Sequence, residues 1–192
     1  MKTVLHVGCG AQGILHESFC NSEWHEVRLD VNAGVKPDIV SSMHSMPMVD
    51  SDSVDAVWSS HGLEHLEAHE AELALREFIR VLVPDGFALI TVPDLGQVAE
   101  ALLKGGLDVP AYSSPAGPIC PIDMLYGNRQ WILQGNGFQA HRTGFTKATL
   151  ERALWLSGFG SVRVKTGYFD LWAVASKSVE SVTLKQAAEE RA

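Results

Sequence analysis

The 192-residue sequence contains no run of lysine or arginine, and acidic residues outnumber basic ones 23 to 15, for a formal net charge of -8. Nonspecific nucleic-acid binding needs clustered cations to neutralise phosphates, so no nucleic-acid partner is expected. Cysteine is scarce: Cys9, Cys20 and Cys120 are odd in number and lack metal-ligand spacing, which suits reduced thiols rather than a disulfide framework. No apolar run approaches the roughly 20 residues that cross a bilayer. The short apolar stretch after Lys2 leads into a glycine turn, not a small-residue cleavage site. The expectation is therefore a chain without membrane insertion, in the cytoplasm. Repeats, low-complexity tracts and composition breaks are also missing. A hydrophobic fraction of 46% and this length suit one domain with a substantial core, expected over residues 1–177, with a charged tail of marginal helix or disorder at 178–192.

The most informative stretch comes first. Thr3-Val4-Leu5-His6-Val7 is a short apolar run rich in β-branched residues, and it breaks into Gly8-Cys9-Gly10-Ala11-Gln12-Gly13. This reads as a buried strand, a glycine turn and a helix start, with a short helix over 14–22. Further strands are expected at 24–30, ending in Asp30, at 37–40, and at 53–60. Residues 61–82 have helical spacing, with Leu63, Leu66, Leu73, Leu75, Phe78, Ile79 and Leu82 on the apolar side. Pro84-Asp85-Gly86 reads as a turn, and 87–92 as a fully apolar strand stopped by Pro93-Asp94. Residues 95–147 break this alternation: a helix at 95–103 leads into a segment rich in glycine, proline and aromatics, the composition of a lid or substrate region. A helix at 147–157, capped by Thr146 and ended by Gly158, precedes two strands at 162–165 and 171–175.

Strands alternating with helices predict an α/β fold, a doubly wound and mostly parallel sheet. Ligands of such sheets sit beyond the carboxyl ends of the strands, near the switch in strand order. The glycine turn, Asp30, the Ser42-Met43-His44 loop, Ser59-Ser60-His61 and Pro93-Asp94 all follow strands, so five segments are expected to converge on one edge. The spacing Gly8-x-Gly10-x-x-Gly13 with Asp30 satisfies a dinucleotide pattern, yet it fits S-adenosylmethionine equally well. A dinucleotide-dependent oxidoreductase therefore stays open on this pattern alone.

Longer segments are more specific. Val4-Leu5-His6-Val7-Gly8-Cys9-Gly10, Asp30, the run from Asp55 to Leu66, and Arg76-Glu77-Phe78-Ile79-Arg80-Val81-Leu82-Val83-Pro84-Asp85-Gly86 followed by Leu89-Ile90-Thr91-Val92-Pro93 occur in order. In these segments the chain resembles the class I S-adenosylmethionine-dependent methyltransferases, and among them the branch labelled methyltransferase type 11. The resemblance covers about half the chain. It implies a Rossmann-like, doubly wound seven-stranded sheet with six parallel strands and one antiparallel. It also implies S-adenosyl-L-methionine as cofactor and S-adenosyl-L-homocysteine as product. Three departures stand out: His6 occupies a position where an acid is common, Asp85 replaces a common glycine, and the usual N-terminal covering helices are missing. The insertion or a second subunit, as in a homodimer, is the expected cover.

The resemblance and the strand-end positions together assign candidate residues. Gly8, Cys9 and Gly10 are expected to approach the amino-acid end of the cofactor, with Gly13 easing helix packing. Asp30 and Val31 are expected at the ribose, Met43 and His44 at the adenine, and Ser60 and His61 near the reactive methyl. His61 and Asp94 are candidates to orient or deprotonate the acceptor. Tyr112, Tyr126, His141 and Arg142 are the substrate candidates of the insertion, with Arg142 suited to a carboxylate or phosphate. His61, His65 and His69 have i, i+4, i+8 spacing, but no further ligand set supports a metal, and none is expected. The expected activity is methyl transfer to a small-molecule or glycan-precursor hydroxyl. A noncatalytic S-adenosylmethionine-binding partner or regulatory module is the alternative. Calorimetric titration separates the ligand classes: S-adenosylhomocysteine is expected to bind and nicotinamide dinucleotides to give no heat, and the reverse result would overturn the assignment.

Overall fold

A computed structural model of the protein describes residues 1–11, 14–114 and 117–178. Its strands are β1 (Lys2–Val7), β2 (Trp24–Asp30), β3 (Ile39–Val40), β4 (Val54–Ser60), β5 (Leu82–Pro93), β6 (Tyr112–Ser114), β7 (Gly117–Ile119), β8 (Ser161–Thr166) and β9 (Asp170–Ser176). Its α-helices are α1 (Ala68–Val81), α2 (Leu95–Gly105), α3 (Pro121–Tyr126), α4 (Arg129–Leu133) and α5 (Lys147–Ser157). Seven strands form one sheet in the order β3-β2-β1-β4-β5-β9-β8. Pairing is parallel from β3 through β5, and β9 runs antiparallel to both β5 and β8. This is the expected Rossmann-like sheet of six parallel strands and one antiparallel. Among the described residues no helix is long and apolar enough to cross a membrane.

Alternation along the strands divides the core. Leu5, Val7, Val57, Ala88, Ile90, Ala173 and Ala175 face the side covered by Leu75 and Phe78 of α1 and by Leu150 and Leu154 of α5. Val4, Ala56, Trp58, Phe87, Leu89 and Val174 face the other side, where Phe19 is buried with Leu15, Trp24 and Trp172 beside it. The helix expected over 14–22 is not formed there. A single 3₁₀ turn at Glu17–Phe19 takes its place, and Phe19 meets Trp24 edge to face and stacks on Phe87, with ring centroids 4.9 and 6.1 Å away. An isolated helix of that length is marginal in water, and packing one large ring on the aromatic face needs only a turn. Gln12, Gly13 and the tail beyond 178 lie outside the described residues.

Three other expectations are modified. The helix expected from 61 begins only at Ala68, after a 3₁₀ turn at Leu63–His65. Early helix is interrupted because the Glu64 carbonyl accepts the backbone N–H groups of Arg142 (2.8 Å) and Thr143 (3.2 Å) from the distant insertion. The helix restarts where the Glu67 N–H donates to Glu70 Oε2 at 3.0 Å. Pro84-Asp85-Gly86 does not end a strand but lies within β5, where the register against β4 shifts between Val54 and Ala56. The insertion also carries more order than a loop: α2, the hairpin β6–β7, α3 and α4.

Arg80 in α1 ties the loop before β4 to the core. Its guanidinium donates to Glu77 (2.6 and 2.8 Å), to the Val49 carbonyl (2.8 Å) and to the Met46 carbonyl (2.9 Å). Glu77 also accepts the Met46 N–H at 2.7 Å. The Arg80 pair, against some opposing burial, holds the Glu77 carboxyl below its ordinary pKa of 4.5. Arg80→Leu is expected to cost about 1.5–3 kcal/mol, the range for hydrogen bonds to charged groups. A depressed carboxylate stabilises above its unfolded pKa and loses that contribution as pH falls through the folded value. The gap between wild type and variant in denaturant unfolding should therefore be full at pH 7 and shrink below the ordinary carboxylate range.

Candidate functional site

β1 hydrogen-bonds to β2 on one side and to β4 on the other. Connections leave these strands toward opposite sides of the sheet, which opens a crevice at their carboxyl ends. A cleft of about 970 Å³ lies there. The Gly8–Ala11 turn, Asp30 and Val31, Ser41–His44, and Ser60 with His61 line it, and Trp131, Phe138, His141 and Arg142 of the insertion close it from the far side.

The turn after β1 is braced by backbone and charge. Gly8 and Cys9 donate their N–H groups to the Leu29 carbonyl at 2.8 and 3.2 Å. Gly10 has φ +60°, a left-handed conformation that side chains resist, and a Cβ placed there would meet nothing within 4 Å. The turn therefore presents bare backbone to the cleft. Arg28, unmarked in the sequence reading, donates from Nη2 to the Gly10 carbonyl at 2.8 Å. Asp30 accepts the Gly10 N–H (2.9 Å) on one oxygen and the Asn32 N–H (2.8 Å) on the other. These bonds orient its carboxylate at the cleft and leave it lone pairs for ligand hydroxyls.

His6 sits beneath the turn, 2% exposed, with Nδ1 2.7 Å from Glu26 Oε1. Burial lowers its pKa despite the opposing pull of Glu26. His6 thus has an acidic partner on the neighbouring strand, at Glu26. Met43 and His44 reach the cleft as expected, and His44 Nδ1 lies 2.7 Å from Ser42 Oγ. Ser60 lines the cleft and accepts a hydrogen bond from Thr91 Oγ1 at 3.1 Å.

His61 has the left-handed φ of +49°, with its N–H donated to the Thr91 carbonyl at 2.9 Å. Its ring lies between two acids: Nδ1 is 3.3 Å from Glu64 Oε1 and Nε2 is 3.4 Å from Asp170 Oδ1. Desolvation lowers its pKa, but these two carboxylates outweigh it, so the net shift is upward. These carboxylates favour the protonated imidazole, which suits it to donate a hydrogen bond. It also borders a second cavity of about 130 Å³, shared with Tyr112, Met124, Phe169 and Asp170.

Glu64 is the most unusual group of the site. It is 1% exposed, and apart from the 3.3 Å approach of His61 Nδ1 neither carboxylate oxygen has a hydrogen-bond partner among the described residues. Burial pushes its pKa up, yet His61, His65 and His141 more than reverse that, so it remains charged. His65 and His141 stand edge to face, with centroids 5.0 Å apart. His65 Nδ1 pairs with the Ala140 carbonyl at 3.2 Å and His141 Nδ1 with the Met124 carbonyl at 2.9 Å. Gly127 makes this approach possible, since a Cβ there would overlap the Gln139 carbonyl. The expected face of His61, His65 and His69 does not form, because helix α1 starts after the first two and His69 is exposed.

The remaining expectations divide. Arg142 lines the cleft but pairs with Glu67 Oε1 at 3.1 Å on the exposed rim. Tyr112 stacks on Phe169 with centroids 5.4 Å apart, in the side cavity rather than the main cleft. Tyr126 is 63% exposed and brings only its backbone carbonyl inward, as acceptor of the His141 N–H at 3.2 Å. Asp94 is not at the cleft. Buried at 6% exposure, it caps α2, accepting from the Gly96 N–H at 2.9 Å and from Gln97 Nε2 at 3.2 Å. Its position after Pro93 favoured a helix start as much as a reactive group, and the helix claimed both oxygens.

The family model described as a methyltransferase domain matches residues 5–90, the span from β1 to the middle of β5. No match was found among curated proteins. Among solved structures, the CMeT domain of the citrinin polyketide synthase shares 16% identity and a TM-score of 0.60, over 92% of this chain and 46% of that one. The chain thus spans under half the length of that structure. A protein from Pyrococcus horikoshii OT3 shares 15% identity with a TM-score of 0.60 over 91% and 81% of the two chains. A SAM-dependent methyltransferase from Archaeoglobus fulgidus shares 15% identity with a TM-score of 0.60 over 92% and 86%. At these identities the likenesses establish the fold.

The capping assignment makes a direct comparison available. Asp94→Ala is expected to lower stability by about 1 kcal/mol in denaturant unfolding, whereas Asp94→Asn, which also caps, should stay within a few tenths.

Proposed function

We propose that the chain carries a class I methyltransferase domain, a reading supported by the methyltransferase-domain model over residues 5–90, and that it moves the methyl group of S-adenosylmethionine to a hydroxyl of a small molecule or glycan precursor. The observation that supports this reading is the convergence of strand ends on one cleft of about 970 Å³, the size range of small-molecule sites. Its lining suits the cofactor in its parts. The bare backbone at Gly8 and Gly10 suits the amino-acid end, the oriented Asp30 carboxylate suits two ribose hydroxyls, and the Met43 thioether suits the flat face of an adenine.

When bound, the cofactor supplies a methyl group activated by its sulfonium charge. The chain's residues would then mainly align the acceptor and exclude water. The reading places the acceptor between Ser60–His61 and the insertion, with His141 and Arg142 near its polar groups. His61 would donate a hydrogen bond to the acceptor, held in orientation by Glu64 and Asp170. Asp94 has no part in this scheme. Trp131 and Phe138 of the insertion would cover the cofactor.

Two measurements test the reading. Asp30→Ala removes charge-assisted hydrogen bonds and is expected to weaken S-adenosylhomocysteine binding about 10- to 100-fold in calorimetry; an unchanged affinity would remove the ribose assignment. Labelled methyl from S-adenosylmethionine is expected to appear on hydroxyl acceptors in a small-molecule extract. Tight cofactor binding with no transfer to any acceptor would instead favour a noncatalytic binding module.

A further inference from the structure

Glu64 poses a physical problem that the cofactor does not solve. His61 Nδ1, 3.3 Å from Oε1, partly balances its charge, but neither oxygen accepts a hydrogen bond of good geometry among the described residues, and proteins compensate a buried carboxylate of this kind by further pairing or by coordinating a metal. Its neighbours are arranged as ligands. One potential ligand atom from each of Glu64, His65 and His141 lies within 4.8 Å of the others, close enough for a single ion to bridge them after small side-chain shifts.

The protonation pattern of the two histidines fits the same purpose. Each commits Nδ1 to a backbone carbonyl, His65 to Ala140 at 3.2 Å and His141 to Met124 at 2.9 Å. A ring nitrogen facing a carbonyl carries the hydrogen, so in the neutral form of each ring Nε2 is the nitrogen left with a lone pair for a metal. Metal-binding histidines are oriented in this way, with the second nitrogen donating to a carbonyl or carboxylate. The backbone also holds the three residues in place. The N–H groups of Arg142 and Thr143 both donate to the Glu64 carbonyl, at 2.8 and 3.2 Å, locking the segment that carries His141 against the turn that carries Glu64. All three side chains line the main cleft.

We propose that Glu64, His65 and His141 bind one divalent first-row transition metal ion, and that this ion holds the acceptor's oxygen for methylation. Two imidazoles and one carboxylate are a ligand set for zinc, cobalt, manganese or iron rather than for calcium or magnesium. Three protein ligands leave positions open for a substrate oxygen, and here they would open onto the cleft. The role given to the ion rests on the methyltransferase reading; the binding itself does not. As a Lewis acid it would lower the pKa of the acceptor hydroxyl. The hydroxyl proton passes to solvent water and the new O–CH₃ bond forms as the S–CH₃ bond breaks. The electron pair of that bond stays on sulfur, giving neutral S-adenosylhomocysteine. No oxidant or reductant is required.

The test uses the full-length protein, freed of metal by a chelator and dialysed. Titration with Co²⁺ is expected to give one equivalent bound, with visible absorption bands of nitrogen and oxygen ligation, and Zn²⁺ should displace it. Glu64→Gln and His141→Ala are each expected to weaken Co²⁺ binding by at least about 100-fold. S-adenosylhomocysteine binding, measured on the same samples, reports whether each variant is folded. His65→Ala serves as a further variant should one of these lose the cofactor. Failure of the folded wild-type protein to bind Co²⁺, Zn²⁺ or Mn²⁺ at millimolar concentration would overturn the proposal while leaving the cofactor reading intact. Co²⁺ binding that persists unchanged in folded Glu64→Gln and His141→Ala would overturn it too. Metal binding without any cofactor binding would support the site and remove the methyltransferase role given to it.

Discussion

The position of β1 between β2 and β4 governs the rest of the molecule. A parallel strand with parallel neighbours on both sides must send its own connection to one side while the later strand returns on the other. The crevice between the two connections cannot be filled by the sheet itself. The sheet-borne groups at the cleft owe their place to this: the Gly8–Ala11 turn leaves β1, Asp30 ends β2, Ser60 ends β4 and His61 follows it. The antiparallel pair β8 and β9 extends the sheet beyond β5 and delivers Asp170 to the far side of His61.

A second constraint acts on the open side of the crevice. The insertion is not draped over the site but pinned to it by backbone, through the Glu64 carbonyl and through the carbonyls that receive His65 and His141. This closes part of the cleft with Trp131 and Phe138 and sets three imidazoles around one buried acid. It also explains the interrupted start of helix α1. A carbonyl that serves two distant N–H donors is unavailable for the helical ladder, so the chain makes one 3₁₀ turn and restarts. The opposite face of the sheet is organised differently, by rings rather than helices, with Trp58 and Trp172 stacked 6.1 Å apart and Phe19 wedged near Phe87.

Local pattern carried much of this. Apolar strand runs, the helix closed by Thr146 and Gly158, and the described Gly8–Ala11 part of the glycine turn are short-range features, and all are found where residue types placed them. Residues that follow strands, such as Asp30, Met43, His44, Ser60 and His61, were legible as cleft residues because sheet topology decides which edge they share. Legibility failed where a residue has two local meanings. Asp94 after Pro93 reads equally as a reactive acid and as a helix cap. Tyr126 reads as a substrate contact, yet its ring points to solvent while its carbonyl is used. His69 shares the spacing of His61 and His65 only on a continuous helix, which is not what forms.

By itself the sequence determined the sheet, its alternating cover and the edge at which ligands gather, because these follow from periodicity, turn residues and the order of strands. Only the tertiary structure decided which groups face one another across that edge. Glu64 and His141 are 77 positions apart, and no local pattern links them. They meet because Gly127 admits the 139–140 backbone and because Arg142 and Thr143 bind the Glu64 carbonyl. The same holds for Arg28 under the glycine turn and Glu26 beside His6: their roles come from parallel pairing of β1 with β2, which sets side by side residues that the chain keeps far apart.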